Sequence, residues 1–317
     1  MAITAYFASL NVLKLWKSMP ANIAQGLIWG IMALGIYITF RVLDVADLTV
    51  DGSFSTGSAV TVMLIIAGWP AWAALIAAVA AGMLAGLITG MLHTKLGIPA
   101  ILAGILTQLS LYSINLRILG GANMPLSVTK YHLLLSTRYV PKALLVGSII
   151  SLALVCVFYW YFGTEQGSAI RATGNNSAMS SALGINVNRM KVLGLALSNG
   201  IVAMAGGLYC QLQGSADVNS GRGAIVIGLA AVIIGEVLGR ALLGKRLNFF
   251  GTLTFTVLGG VVYYIVMGVG LWLKLNPNDL KLIIAIIVAL FLAVPYLSSQ
   301  RKSSFAKLKR KGGKANA

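Results

Sequence analysis

Stretches of roughly 20 apolar residues recur along almost the whole chain, and each is long enough to cross the hydrocarbon core of a bilayer as an α-helix. The pattern predicts nine such segments, at about 20–41, 53–68, 70–95, 98–118, 140–162, 189–213, 223–239, 247–269 and 279–298. The sequence therefore predicts an all-α integral membrane protein with about nine transmembrane helices and no soluble domain of normal size.

The charges support a membrane protein and argue against a nucleic-acid partner. Only 10% of the residues are charged, whereas soluble domains carry roughly 25%. The net charge of +17 comes from basic residues at the ends of the apolar segments and in the C-terminal tail, a distribution typical of membrane orientation and of contact with anionic membrane lipid. Cys156 and Cys210 fall inside apolar segments, so neither a disulfide nor a metal site is indicated.

The positions of Lys and Arg predict how the chain is oriented. If the polar stretch at 164–188 is cytoplasmic, most of the 24 basic residues fall on the cytoplasmic side, as the positive-inside rule requires. We expect five regions: an interfacial N-terminal helix at 1–19, a first transmembrane repeat at 20–163, a cytoplasmic coupling region at 164–188, a second transmembrane repeat at 189–300 and a basic cytoplasmic tail at 301–317.

A faint internal repeat supports this division. An offset of 170 residues aligns Gly30-Ile31 with Gly200-Ile201, Ala33 with Ala203, and Ala46-Asp47 with Ala216-Asp217. In both copies an apolar helix is followed by a polar break with an Asp and then by a short apolar segment, which predicts discontinuous second and seventh helices. An odd number of spans between the copies inverts one relative to the other, and inverted repeats with discontinuous helices are typical of transporters.

The long polar stretch at 164–191 has the composition of a docking surface. Asn175 or Asn176 can cap a short helix at Ser177–Leu183, which Gly184 would end. Such a helix carries the apolar residues Ala178, Met179, Ala182 and Leu183 into water. A partner that binds them is our interpretation, and an ordinary surface loop is the alternative.

Acidic residues mark a candidate path through the membrane. Three of the seven acidic residues fall at 44–51, just after the first segment, and charges near membrane depth normally face protein, water or a substrate path. The alternative is that Asp51 and Ser53 only cap the second helix and pair with Arg41. Gln108 and Asn115 share one face of the fourth segment. The predicted path residues are Asp47, Asp51, Ser53, Phe54, Gln108, Asn115 and Asp217.

Other polar and small residues have simpler interpretations. Glu236 is expected to pair with Arg240 one helical turn away. Gly82, Gly86 and Gly90 form a ridge that suits close helix packing in the core or at a dimer seam. The sequence contains no phosphate-binding loop and no hydrolase or zinc-protease motif, so we expect no enzyme, and any energy for transport comes from a partner or an ion gradient.

Residues 171–208 (RATGNNSAMSSALGINVNRMKVLGLALSNGIVAMAGGL) resemble the cytoplasmic loop of ATP-binding-cassette (ABC) importer permeases of the branched-chain amino acid, ribose and nucleoside superfamily. The residues that carry the resemblance are Arg171, Ala172, Gly174, Asn176, Gly184, Ile185, Lys191 and Ala205–Leu208. Residues 26–54, which include DLTVDGSF, and IIGEVLG at 233–239 are similar to the branch that accompanies aromatic amino acid (tryptophan/tyrosine-type) binding proteins.

The resemblance implies a bacterial inner-membrane permease that receives its solute from an extracytoplasmic binding protein and binds a cytoplasmic ATPase dimer. Two copies or two related chains would form the complex, and the internal repeat favours two copies, a homodimer. ATP and Mg would be held by the ATPase, and this chain would need no cofactor. The ATPase-coupling residues would be Arg171, Gly174, Asn175, Asn176, Ser177, Ala178, Met179, Ala182, Leu183 and Gly184. The rival hypothesis is an ion-coupled secondary transporter that uses Asp47, Asp51 or Glu236 as its ion site.

Overall fold

Ten α-helices follow one another in the described part of the chain, which comprises residues 12–273 and Leu282 of a computed structural model. We label them α1 (Val12–Tyr37), α2 (Thr49–Ile66), α3 (Ala71–Thr94), α4 (Ala100–Leu119), α5 (Val140–Tyr161), α6 (Glu165–Asn175), α7 (Ser177–Ala182), α8 (Val187–Gln213), α9 (Ala224–Leu243) and α10 (Phe249–Trp272). All contacts discussed below lie between residues 12 and 268, within one compact unit.

Eight of the described helices are long and apolar enough to cross a membrane; only α6 and α7 are not. The prediction of an all-α integral membrane protein is therefore confirmed. The predicted ninth segment at 279–298 and the basic tail lie outside the described residues.

The first helix begins earlier than the sequence predicts. A separate interfacial helix was expected to end at residue 19, but α1 starts at Val12 and continues through Pro20 into the first span. Proline removes one backbone donor, yet its fixed φ is compatible with helical backbone, so Pro20 does not separate the two parts.

A change in helix type precedes the first polar break. The end of α1 widens into a π-helix at Ile38–Val42, which we call the π segment. The chain is irregular at residues 43–48, the first break, where Asp44 has a φ of 54°. From Thr49 onward α2 is continuous to Ile66, and the hydroxyl groups of Thr56 and Ser58 within it donate to carbonyl oxygens of their own helix. The predicted discontinuity thus lies before the second segment and not within it.

The core is built around α8, which packs against α3, α2 and α1. Glycines permit this packing: a Cβ at Gly82 or Gly86 would overlap backbone atoms of α8, and one at Gly90 would lie 2.9 Å from the Cα of Val192. The glycine ridge of α3 is therefore a core contact rather than a dimer seam, which agrees with the role of small residues between membrane helices.

Two three-residue strands, which the sequence does not predict, join distant connections. Strand β1 (Asn123–Pro125) follows α4 and pairs in antiparallel fashion with β2 (Ser215–Asp217), which follows α8. The pairing fixes the second break, residues 214–223, against the connection between α4 and α5.

The two breaks contain the same local turn. The Oδ1 atom of Asp47 accepts a hydrogen bond from the backbone N–H of Thr49 at 2.9 Å, and Oδ1 of Asp217 accepts one from the N–H of Asn219 at 2.6 Å. These turns stand at equivalent positions of the predicted repeat. They support the repeat, whose complete inverted layout stays a prediction.

Candidate functional site

The predicted coupling helix is present as α7, and its ends follow the expected chemistry. The side-chain oxygen of Asn176 accepts a hydrogen bond from the backbone N–H of Met179 at 3.0 Å, so Asn176 and not Asn175 is the N-cap. The helix ends at Ala182, one residue before the predicted end, and Gly184 follows with a φ of 82°.

The preceding helix α6 was missed in the sequence, where residues 165–175 were taken as part of a polar loop. Its N-cap is Thr164, whose hydroxyl oxygen accepts from the N–H of Gly167 at 3.3 Å. A threonine cap followed by Glu165 in the first turn is a recognised helix start, and this signal could have revealed it.

The apolar residues of α7 are exposed, as the docking interpretation requires. Met179 is 62% exposed and Leu183 is 69% exposed. An open groove of about 570 Å³ runs beside them, with Ser177, Ala178 and Ser181 among its walls. Exposed apolar side chains beside a groove are what a docking partner can bury.

Helix α6 connects α7 to the transmembrane helices. A Cβ at Gly174 would overlap the carbonyl oxygen of Val42, so the end of α6 lies directly on the π segment. The Arg171 guanidinium stands 4.9 Å from the ring centre of Phe249, at the start of α10. Of the predicted coupling residues, Arg171 and Gly174 therefore face the membrane helices, whereas the α7 residues face outward.

The first break is closed by buried hydrogen bonds. Asp47 is only 3% exposed, and its Oδ2 atom accepts from the Asn199 amide at 2.6 Å. The Asn199 oxygen in turn accepts from the Ser53 hydroxyl at 2.7 Å. Burial raises the pKa of Asp47, and the hydrogen bonds from Thr49 and Asn199 oppose that rise. Asp47 and Ser53 thus belong to the core rather than to an open path.

Phe54 also lies away from any open wall. Its ring is fully buried and stacks on Trp29 at 5.2 Å between ring centres, with Tyr209 at 5.4 Å. The three rings come from α1, α2 and α8 and pack together between these helices. Phe54 is therefore a core residue.

Three of the predicted path residues do share a cavity. Asp51, Gln108 and Asn115 line a space of about 260 Å³ between α2, α4 and the second break. Tyr112 and Arg222 complete its polar and aromatic walls and were not predicted. Asp217 is not a wall residue, although its neighbour Val218 is.

Asp51 has a different partner from the one expected. Its carboxylate accepts hydrogen bonds from the backbone N–H groups of Gly223 and Ile225, each at 2.9 Å. It therefore caps the start of α9 rather than only its own helix, and it ties α2 to the second break. A partner 172 residues away is invisible to local sequence patterns.

The closest partner of Glu236 is likewise distant in sequence, because both of its carboxylate oxygens accept from the Arg41 guanidinium. The expected ion pair with Arg240 is also present, at 3.8 Å. Arg41 therefore pairs with Glu236 and not with the Asp51 region. Each of the carboxylates that an ion-coupled mechanism would use, Asp47, Asp51 and Glu236, has partners within the protein.

Together, the eight described helices that can cross a membrane and the outward-facing capped helix define a multi-pass membrane protein. A sequence profile of the family described as branched-chain amino acid transport system / permease component matches residues 19–294. The chain belongs to this family.

Individual relatives agree with that assignment. The chain is 37% identical over 284 residues to a tyrosine transport system permease protein of Clostridioides difficile, covering 90% of this chain and 93% of the relative. It is 24% identical to the ribose import permease protein of Escherichia coli K12, over 81% of each chain. PsaBC from Streptococcus pneumoniae, solved in complex with Fab, shares the fold with a TM-score of 0.50 at 15% identity, covering 92% of this chain and 94% of that one.

The function follows from the family. The protein is the membrane-spanning permease subunit of an ABC importer in the inner membrane, and ATP is hydrolysed by a separate partner chain. Permeases of this kind work with an ATPase and a substrate-binding protein.

Proposed function

We propose that this permease imports an aromatic amino acid, tyrosine or a close analogue, and that α7 is the docking element for the ATPase. The single observation that carries the docking proposal is the capped helix whose Met179 and Leu183 side chains are exposed beside an open groove. The relative described as a tyrosine transport permease, 37% identical over almost its whole length, supports the substrate class.

The contacts of α6 suggest how a movement of the ATPase reaches the membrane. A push on α7 is transmitted to α6, whose Gly174 rests on the carbonyl of Val42 in the π segment. From there the chain passes directly into the first break, whose Asp47 is bound to Asn199 of α8. Packed elements of this kind move as rigid bodies between two states rather than deforming continuously.

The complete transporter in this proposal contains two copies of the permease, two ATPase subunits and one binding protein. Two features favour a homodimer. The two halves of one chain already carry related breaks, and a second copy on a two-fold axis provides a second, identical docking helix. The α7 face is placed on the cytoplasmic side, the side that the positive-inside rule favours. ATP and Mg belong to the ATPase, and the exposed apolar faces of α4 and α5 contact lipid or the second copy.

The docking proposal is tested by charge substitution on α7. The double variant Met179→Glu with Leu183→Glu is expected to lose the co-purifying ATPase and ATP-dependent tyrosine uptake in proteoliposomes, because burying a carboxylate in an apolar interface is costly. The matched control, Gln166→Glu with Ser168→Glu, adds the same charge to exposed positions of α6 and should retain both. An α7 double variant that keeps the ATPase and transports at the normal rate would rule out the docking role.

A further inference from the structure

The cavity between α2, α4 and the second break contains a buried polar group without a partner. Asn115 is 0% exposed, and neither its amide nitrogen nor its amide oxygen has a hydrogen-bond partner among the described residues. Leaving a buried donor or acceptor unpaired costs about 1–3 kcal/mol. Such a group in a cavity wall is suited to a ligand that both donates and accepts hydrogen bonds.

The charges in the walls narrow the ligand to a particular class. One carboxylate, Asp51, and one guanidinium, Arg222, line the cavity. Asp51 already accepts two backbone hydrogen bonds, but a carboxylate has about four acceptor positions, so it can accept further bonds. Arg222 stacks at 5.8 Å over the ring of Tyr112 and forms no ion pair with any described carboxylate. Its N–H donors are free for an anionic group of the ligand.

Apart from Ser55 and Gln108, the remaining side chains in the walls are apolar or aromatic, and the space is small. Tyr112, Leu109 and Val218 provide this surface. The volume of about 260 Å³ is below the roughly 300 Å³ at which pockets for drug-sized molecules begin. The cavity therefore suits a compact solute with one positive group, one negative group and an apolar or aromatic body.

We propose that this cavity is a substrate-selecting site within the permease itself, which binds a free zwitterionic α-amino acid. The α-carboxylate is bound by Arg222 and the amide nitrogen of Asn115. The α-ammonium group is bound by Asp51, the amide oxygen of Asn115 and Gln108. This proposal rests on the proposed amino acid import and adds that the permease, and not only its binding protein, checks both charged groups of the substrate.

Ligand-observed saturation-transfer NMR on the purified permease without a binding protein tests the site, because the method detects weak and rapidly exchanging ligands. Tyrosine is expected to bind. Tyramine, which lacks the carboxylate, and 4-hydroxyphenylpropionate, which lacks the ammonium group, are expected to bind at least about tenfold more weakly, because each leaves a buried partner unpaired. Equal binding of all three compounds would overturn the proposal.

Variants assign the binding to the cavity. Asn115→Leu preserves the approximate side-chain size and should weaken tyrosine binding at least about tenfold, whereas Ser110→Ala on the exposed face of the same helix should not. Arg222→Gln changes an exposed side chain and should remove the preference for tyrosine over tyramine, a result that a merely structural role does not produce. Unchanged preference in Arg222→Gln, or wild-type binding by Asn115→Leu, would contradict the site.

Failure of this site can be separated from failure of the proposed substrate. Uptake by the complete transporter with its ATPase and binding protein reports on the substrate. If the complete transporter imports tyrosine while the isolated permease binds none, the cavity is not a selecting site and the proposed import stands. If the permease binds tyrosine but the complete transporter does not import it, the proposed import is wrong while the cavity remains a zwitterion site.

Discussion

The two polar breaks contain the same Asp-centred turn, yet the surroundings of the two turns differ. In the first break, Asp47 is buried and bound to Asn199, and the break is continuous with the π segment on which α6 rests. In the second break, Asp217 is half-buried, and the side chains of Asn219 and Arg222 are exposed. The first break is held by the side chain of Asp47. The second break is held through its backbone, by the pairing of β1 with β2 and by the N–H groups of Gly221 and Gly223, which donate to Ser55 and Asp51 of α2.

We infer from this difference that the first break transmits movement, whereas the second break contributes side chains to ligand binding. A break closed by buried hydrogen bonds has few alternative conformations. A displacement of α6 therefore moves the break and α2 together. A break held by its backbone leaves its side chains available to a ligand. Asp51 joins the two, because its carboxylate lies on α2 and its hydrogen-bond partners, Gly223 and Ile225, lie at the end of the second break and the start of α9.

The strongest test of the comparison replaces an asparagine near each break. Asn199→Leu removes a partner of both Asp47 and Ser53, leaving the buried Oδ2 atom of Asp47 and the buried hydroxyl of Ser53 unpaired. We expect a loss of about 2–4 kcal/mol in the free energy of unfolding, seen as a lower melting temperature in detergent. Asn219→Leu, in the exposed part of the second break, is the matched control and should unfold within a degree or two of the unchanged protein. Similar losses in both variants would remove the distinction between the breaks.

A second test concerns the contact between α6 and the π segment. Gly174→Ala places a methyl group where the carbonyl oxygen of Val42 lies, so α6 must shift away from the π segment, at a cost of about 1–3 kcal/mol. We expect ATP hydrolysis to continue in the reconstituted transporter while the amount of solute imported per ATP falls severalfold. Gly121→Ala, where a Cβ would meet no atom within 4 Å, is the control. Unchanged coupling in Gly174→Ala would show that the π segment does not transmit the movement.

Local patterns in the sequence predict much of this molecule. Apolar runs predict the spans, because each must be long enough to cross the hydrocarbon core. The cap of α7 by Asn176 and its end at Gly184 follow from interactions only a few residues apart, so the polar stretch predicts them as well.

The features that local sequence patterns did not predict depend on contacts between residues far apart in the chain. Local spacing predicts the ion pair of Glu236 with Arg240, which is present, but not the closer pair with Arg41, which joins residues 195 positions apart. Phe54 was expected on a path because it follows an acidic cluster, but the rings of Trp29 and Tyr209 attract it into the core. The cavity residues Asp51, Gln108 and Asn115 could be proposed from polarity alone, whereas Tyr112 and Arg222 required the packing of α4 against the second break.

The smallest expected effect comes from the aspartates that open the two turns. Asp217→Ala removes one hydrogen bond to the N–H of Asn219, but the β1–β2 pairing continues to hold the backbone, and water can reach the exposed amide. We expect a loss of about 0.5–1 kcal/mol in unfolding free energy, with tyrosine binding to the permease preserved. Asp47→Ala, at the equivalent position, should cost clearly more, because it leaves the buried amide of Asn199 without its carboxylate partner. Melting temperatures of the two variants in the same detergent provide the comparison, and a larger loss for Asp217→Ala would show that the backbone pairing does not hold the second break.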